Sequence, residues 1–180
     1  MRVMKKWWPL VAAIVAIFLD GIYAKALSGI IVTGFWQAPV MGLPIFILLI
    51  SIFDDMNFNN VWLALAVGII ADSYFWGVFG IYAVALPLAV VYGRYLSRIL
   101  PENFLVRWII VIIGTSLIIV YIWLIFNFTK MAQLTLGQLA LHLLGNLFLT
   151  TFIFAIYYNP TRALVENYPF FEDLDRYSLH

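Results

Sequence analysis

The chain has no cysteine and only two histidines among its 180 residues. The first absence excludes disulfides, thiolate metal sites and a cysteine nucleophile. The second leaves His142 and His180, too few and too far apart for a His-based zinc site. Charge is scarce as well. Asp, Glu, Lys and Arg make up 11% of the residues, against about 25% in an ordinary soluble domain. Ten basic and nine acidic residues cannot cover a globule of this size in water. The formal net charge of +1 comes without a concentrated basic face, which argues against nucleic acid as a partner. No GxxxxGK phosphate loop, HExxH helix or GxSxG elbow occurs in the sequence. Asp54 and Asp55 are adjacent, so on a helix they point to different faces and do not form an acid/base pair. The residues hold no catalytic constellation and no cofactor or metal motif, so a non-enzymatic role is expected.

Apolar residues are what the chain has: 65% are hydrophobic, against about 45–50% in a typical globular chain, and the mean hydropathy is +1.01. A spanning helix needs about 20 mostly apolar residues to cross a hydrocarbon core ~30 Å thick. Six stretches come close, at residues 7–27, 38–53, 60–75, 78–96, 107–128 and 134–158. They lack the strict alternation of barrel strands, so each is expected to be helical. The expected architecture is all-α, a polytopic bundle of six transmembrane helices occupying residues 1–158. A short tail at 159–180 follows it.

The positive-inside rule orients the bundle. With a cytoplasmic N-terminus, Arg2, Lys5, Lys6, Arg94, Arg98, Arg107, Arg162 and Arg176 fall inside, and only Lys25 and Lys130 fall outside. Both termini are therefore expected in the cytoplasm. The acidic loop at 54–60 falls on the same side and does not support the assignment, but acidic residues weigh little in this rule. Trp7, Trp8, Trp36, Trp62, Trp76 and Trp108 lie near expected span ends, where amphipathic rings prefer the headgroup level. Trp123 is the exception. The first segment also resembles a signal peptide, with a basic start and Ala24-Lys25-Ala26 in small-x-small form. Asp20 interrupts the approach to that site and Lys25 lies within it, so the segment is read as a span.

Ionisable and polar groups within spans are expensive and call for partners. Asp72 is the clearest case. Gly68 stands one helical turn before it on the same face, where a glycine lets a second helix approach closely. Gly77 and Gly80 follow, so residues 71–82 read as a tight helical hairpin near the outer leaflet. Gln138, His142 and Asn146 recur every four residues and form one polar stripe beside Gly145. The expectation is that Asp72 or Ser73 joins this stripe through a hydrogen bond or shared water. Ala12 and Ala16 form a small-x-x-x-small pair suited to close helix contact. Pro87 should kink the fourth span and Pro44 should bend the second, while Pro39 marks where the second begins. The tail mixes Arg162, Glu166, Glu172, Asp173, Asp175 and Arg176 with Phe170, Phe171, Leu174 and Tyr177, and is expected either to dock on a protein or to be solvated.

The stretch from Leu63 to Tyr82, with Gly68, Asp72, Gly77 and Gly80 in an apolar setting, resembles the rod shape-determining protein MreD family, above all its Gram-positive members. The match covers about Trp62 to Leu96. That resemblance implies a multi-pass protein of the bacterial cytoplasmic membrane. It implies a non-enzymatic component of the cell-elongation machinery that binds MreC. Through MreC it would act with a class B penicillin-binding protein, a RodA-type glycosyltransferase and MreB filaments in lateral peptidoglycan synthesis. The fold implied is similar to the S component of energy-coupling-factor vitamin transporters, which supplies a rival function. In that reading Ala12 and Ala16 dock a transporter subunit, and Asp72, Gln138, His142 and Asn146 line a vitamin pocket. The outer loops lack the polar complement such a pocket requires. Membrane lipid is an expected contact in either case.

Overall fold

A computed structural model describes residues 7–31, 41–75, 77–130, 135–168 and 170. The basic start at 1–6, Trp36, Pro39, Trp76 and the tail from 171 onward, with Arg176, lie outside the described residues. Six α-helices and no strand occur among the described residues. They are α1 (Trp8–Ile31), α2 (Gly42–Phe53), α3 (Asn59–Phe75), α4 (Tyr82–Ile99), α5 (Phe104–Phe128) and α6 (Leu136–Asn167). Segments in α1, α5 and α6 are long and apolar enough to cross a membrane. Their outward faces carry many large apolar side chains. Val11, Val15, Phe18 and Ile22 stand exposed along α1, as do Leu105, Ile109, Ile113 and Leu117 along α5. Continuous apolar exposure on this scale is rare on proteins that live in water.

The centre of the bundle is α2, which touches each of the other five helices. Its sequence, GLPIFILLISIF, has no polar face, and a helix apolar all round belongs in a core. Leu43, Phe46, Ile47 and Ile50 pack with α1, α3 and α4. Ile45, Leu48, Leu49 and Ile52 pack with α4, α5 and α6. Every residue from Gly42 to Ile52 is buried. At 1.5 Å per residue its 12 residues reach about 18 Å, short of the ~30 Å of a hydrocarbon core. The span expected at 38–53 is thus, over its described part, a short interior helix. Pro44 sits in its first turn, where the missing N–H removes no helical bond, so the expected bend does not arise there. Pro87 lies inside α4, as expected.

The start of α1 and the end of α6 meet at one end of the bundle, where the Trp8 and Tyr168 rings lie 6.2 Å apart. This is called the proximal end; the α3–α4 turn marks the distal end. The sixth helix runs on past residue 158, beyond which the tail is expected to begin. It continues through Pro160 to Asn167, and Val165 and Phe170 pack into the core. The Asn57 side chain donates to the Phe170 carbonyl at 2.9 Å. The start of the tail is therefore docked rather than solvated, because Val165 and Phe170 find apolar partners on α1–α4.

Candidate functional site

Asp72 sits one turn beyond Gly68 in α3, and the two residues act on the same neighbour. A Cβ placed on Gly68 would meet the Tyr82 carbonyl oxygen at 2.6 Å and the Ala83 Cα at 2.7 Å, both backbone atoms of α4. Only a residue without a side chain admits α4 this closely. That approach brings the exposed N–H groups at the start of α4 onto the Asp72 carboxylate. Tyr82 N–H donates to Oδ1 at 2.6 Å, and Gly80 and Ala83 N–H donate to Oδ2 at 2.8 and 3.1 Å. The first N–H groups of a helix have no partner within it, and the helix dipole makes that end positive. A carboxylate supplied from the neighbouring helix satisfies both demands. Asp72 is fully buried, with 0% exposure.

The turn that carries α4 back to Asp72 uses two backbone conformations that suit glycine. Gly77 has φ of +65° and Gly80 of +113°, and the Gly77 N–H donates to the Asp72 carbonyl at 2.8 Å. A side chain is strained at either position. Tyr121 on α5 donates its hydroxyl to the Gly80 carbonyl at 2.9 Å, tying the same turn to a third helix.

A second aspartate does similar work. Asp20 lies within α1, 12 residues beyond Trp8, or about 18 Å along the helix. Its Oδ2 accepts from the Leu43 N–H at 2.7 Å, at the start of α2. The short α2 rises to about the same height from the proximal end, which explains why its first turn falls beside the middle of α1. Asp72, 13 residues into α3, stands at a comparable height of about 20 Å. The sequence marks Asp20 only as an interruption of an apolar run; its role becomes visible once α2 is seen to begin deep in the bundle.

The polar stripe on α6 divides between two tasks, and no hydrogen bond among the described residues joins it to Asp72 or Ser73. Asn146, fully buried, donates to Thr115 Oγ1 at 3.0 Å and to Ser116 Oγ at 3.3 Å. Its Oδ1 accepts from Thr150 at 2.8 Å. Gln138 closes a capping box with Thr135 at the start of α6, its Oε1 accepting from the Thr135 N–H at 2.8 Å. Thr135-Leu136-Gly137-Gln138 carries that signature in the sequence. His142 is half-buried and makes no hydrogen bond among the described residues. Ser73 is exposed and donates to the Ile69 carbonyl of its own helix at 2.9 Å. The correction has a simple cause. Helix N-termini and hydroxyls nearer in space satisfy these groups first.

Ala16 on α1 is buried in the core and Ala12 is half-buried beside it. Both line a groove of about 180 Å³ with Leu19, Phe46 of α2, and Tyr157 and Pro160 of α6. The small-residue pair therefore lies partly within the bundle's own packing.

At the proximal end the acidic loop finds its partners. The Asp54 carboxylate accepts from Asn57 and Asn60 side chains at 2.9 and 3.2 Å. The Asp55 carbonyl accepts from Arg94 Nε and Arg98 Nη2, both at 2.8 Å, and its carboxylate pairs with Arg98 at 3.2 Å. The Arg94 guanidinium also stacks 4.2 Å from the centre of the Phe58 ring. Arg94 and Arg98 are one turn apart in sequence and share a bundle end with the acidic loop, a signal the sequence did contain.

Fold and site define a class: an all-α bundle of apolar helices whose hairpins are closed by buried polar caps. No family model, curated protein or solved structure matches the chain.

Proposed function

We propose that the chain is a multi-pass protein of the bacterial cytoplasmic membrane, with both ends in the cytoplasm. We propose further that it is an MreD-like, non-enzymatic component of the cell-elongation machinery. In this reading it binds an MreC-type partner. Through that partner it supports lateral peptidoglycan synthesis by a class B penicillin-binding protein and a RodA-type glycosyltransferase, alongside MreB filaments. The observation that carries the reading is the α3–α4 hairpin. The four residues behind the resemblance form one unit: Gly68 admits α4, Asp72 caps it, and Gly77 and Gly80 shape the turn. A motif whose members all build one rigid hairpin fits a protein that acts by presenting helix faces and short loops to neighbours.

The rival reading, a vitamin-binding S component, draws less support. Both Asp72 oxygens and the Asn146 amide are taken by the protein's own groups, which leaves them poorly placed to recognise a polar ligand.

Affinity isolation of the full chain from its native host tests the proposal. Recovery of an MreC-type protein with wall synthases is the expected result, reduced in Asp72→Ala together with a loss of rod shape. Recovery of transporter ATPases, or of a bound vitamin by native mass spectrometry, would replace the proposal with its rival.

A further inference from the structure

The two aspartate caps sit at similar heights in the bundle but are not chemically equivalent. Asp72 receives three backbone N–H groups and both its oxygens are engaged. Asp20 is 4% exposed, and its Oδ1 has no hydrogen-bond partner among the described residues. That oxygen abuts Gly42, filling the space that a side chain there would need. The Tyr157 hydroxyl enters the same space, 3.3 Å from where a Gly42 Cβ would stand.

An ionised carboxylate in hydrocarbon surroundings needs either a cation or several donors. Among the described residues the groups that face Asp20 include no paired cation, and its donors are the backbone N–H groups of Leu43 and Gly42 at the start of α2. Tyr82 on α4 lies within electrostatic range of both Asp20 and Asp72. Tyr157 on α6 lies within range of Asp20 and of Tyr23 on α1. No Lys, Arg or His forms an ion pair with Asp20 among the described residues. The α2 N-terminus favours the anion through the Leu43 N–H at 2.7 Å with the Gly42 N–H beside it, where Asp72 receives three N–H groups, two from α4 and one from Gly80 in the turn.

We propose that Asp20 is a proton-binding site, carrying its proton on Oδ1 in the membrane, while Asp72 is a fixed cap held by three backbone N–H donors. Uptake of one proton converts the Asp20 carboxylate to a carboxylic acid. The orphan acceptor becomes a donor, and the Tyr157 hydroxyl, which borders the same space without a hydrogen bond to Oδ1 in this structure, moves in to accept from it. In that state Asp20 links three helices: α1 carries it, α2 donates to Oδ2, and α6 receives the proton's hydrogen bond. Loss of the proton removes the link to α6 and leaves a charge between α1 and α2 held only by the N–H groups at the start of α2. The α1–α2–α6 contact is thus a proton-dependent latch, and the α3–α4 contact is a fixed one.

Infrared spectroscopy of the full-length protein in lipid nanodiscs, recorded across a pH series, tests this directly. A protonated-carboxyl stretch at neutral pH is expected, lost on alkaline titration. It should vanish in Asp20→Asn and persist in Asp72→Asn. Thermal unfolding supplies an independent contrast. The Asp20→Asn amide can accept from Leu43 and donate where the acid did, so its unfolding temperature should stay close to wild type. Asp72→Asn turns an NH2 group toward incoming N–H donors and should lower it. Absence of the protonated-carboxyl band from the wild-type protein at neutral pH would overturn the proposal without recourse to any variant. So would a band that survives Asp20→Asn, or an Asp20→Asn that unfolds as early as Asp72→Asn.

Discussion

Adding one methyl group at Gly68 should disable two features of the α3–α4 hairpin at once. In Gly68→Ala the new Cβ would stand 2.6, 2.7 and 2.8 Å from the Tyr82 carbonyl oxygen, the Ala83 Cα and the Ala83 nitrogen. Ordinary contact begins at 3.4 Å, and all three atoms belong to backbone that cannot rotate away. The start of α4 must therefore retreat by about 0.8 Å, the difference between 3.4 and 2.6 Å. The same retreat would lengthen the hydrogen bonds to Asp72, now 2.6 to 3.1 Å, to ~3.4–3.9 Å, beyond the useful N–H···O range. Overpacking of this kind costs about 1–3 kcal/mol. Hydrogen bonds to a charged group are worth about 1.5–3 kcal/mol each, and part of that is lost. Alanine's better helix propensity returns about 0.5–1 kcal/mol. The net expectation is a loss of about 2–4 kcal/mol, which for a chain of this size lowers the unfolding temperature by roughly 5–15 °C. Thermal unfolding of the purified protein in detergent or nanodiscs measures it. Gly137→Ala is the control, because a Cβ there would meet only Thr135 Oγ1 at 3.9 Å. It should move stability by no more than about 0.5 kcal/mol. A Gly68→Ala protein that unfolds with the wild type, or with Gly137→Ala, would refute the close-approach reasoning.

Two further outcomes follow from the same geometry. Asn146 on α6 donates to Thr115 on α5 through a buried hydrogen bond of 3.0 Å, so a double-mutant cycle of Asn146→Leu and Thr115→Val should give a coupling of about 0.6–1.7 kcal/mol; a coupling of zero would show that the network does not hold α5 to α6. At the proximal end, Arg98 is 46% exposed in its side chain, and Arg98→Ala should cost no more than about 1 kcal/mol and less at high salt. Arg94 is buried, bonded to the Asp55 carbonyl and stacked on Phe58, so Arg94→Ala should cost about 2–3 kcal/mol with little salt dependence. Denaturant titrations at two salt concentrations separate the two; the reverse order would mean that the exposed pair holds the loop.

Much of this molecule is legible before any coordinates. Hydrocarbon tolerates only helices with internally satisfied backbones, so the apolar runs read directly as the helices α1, α3, α4, α5 and α6, with most ends displaced by a few residues and the end of α6 by nine. The Gly68–Asp72 spacing is legible for a similar reason: both residues lie on one face of one helix, and the consequence of a missing side chain is local. Where a reading needed to know which elements become neighbours, the sequence was silent. It marked Asp20 as an interruption of a span and could not say that α2 begins beside it. It grouped Gln138, His142 and Asn146 by helical period. The fold then divided them, because Thr135 lay nearer to Gln138, and Thr115 and Thr150 lay nearer to Asn146.

Composition and periodicity by themselves determined that the chain is helical and apolar, and that Gly68 and Asp72 share a face. Those properties depend on residues close together along one helix. The tertiary structure alone decided that α2 is a short core helix, that Phe170 returns to the bundle, and that Asp20 and Asp72 cap different helices with different numbers of donors. A buried polar group is satisfied by whatever donor the fold brings within 3 Å, and that donor lies 23 residues from Asp20 and 8 to 11 residues from Asp72.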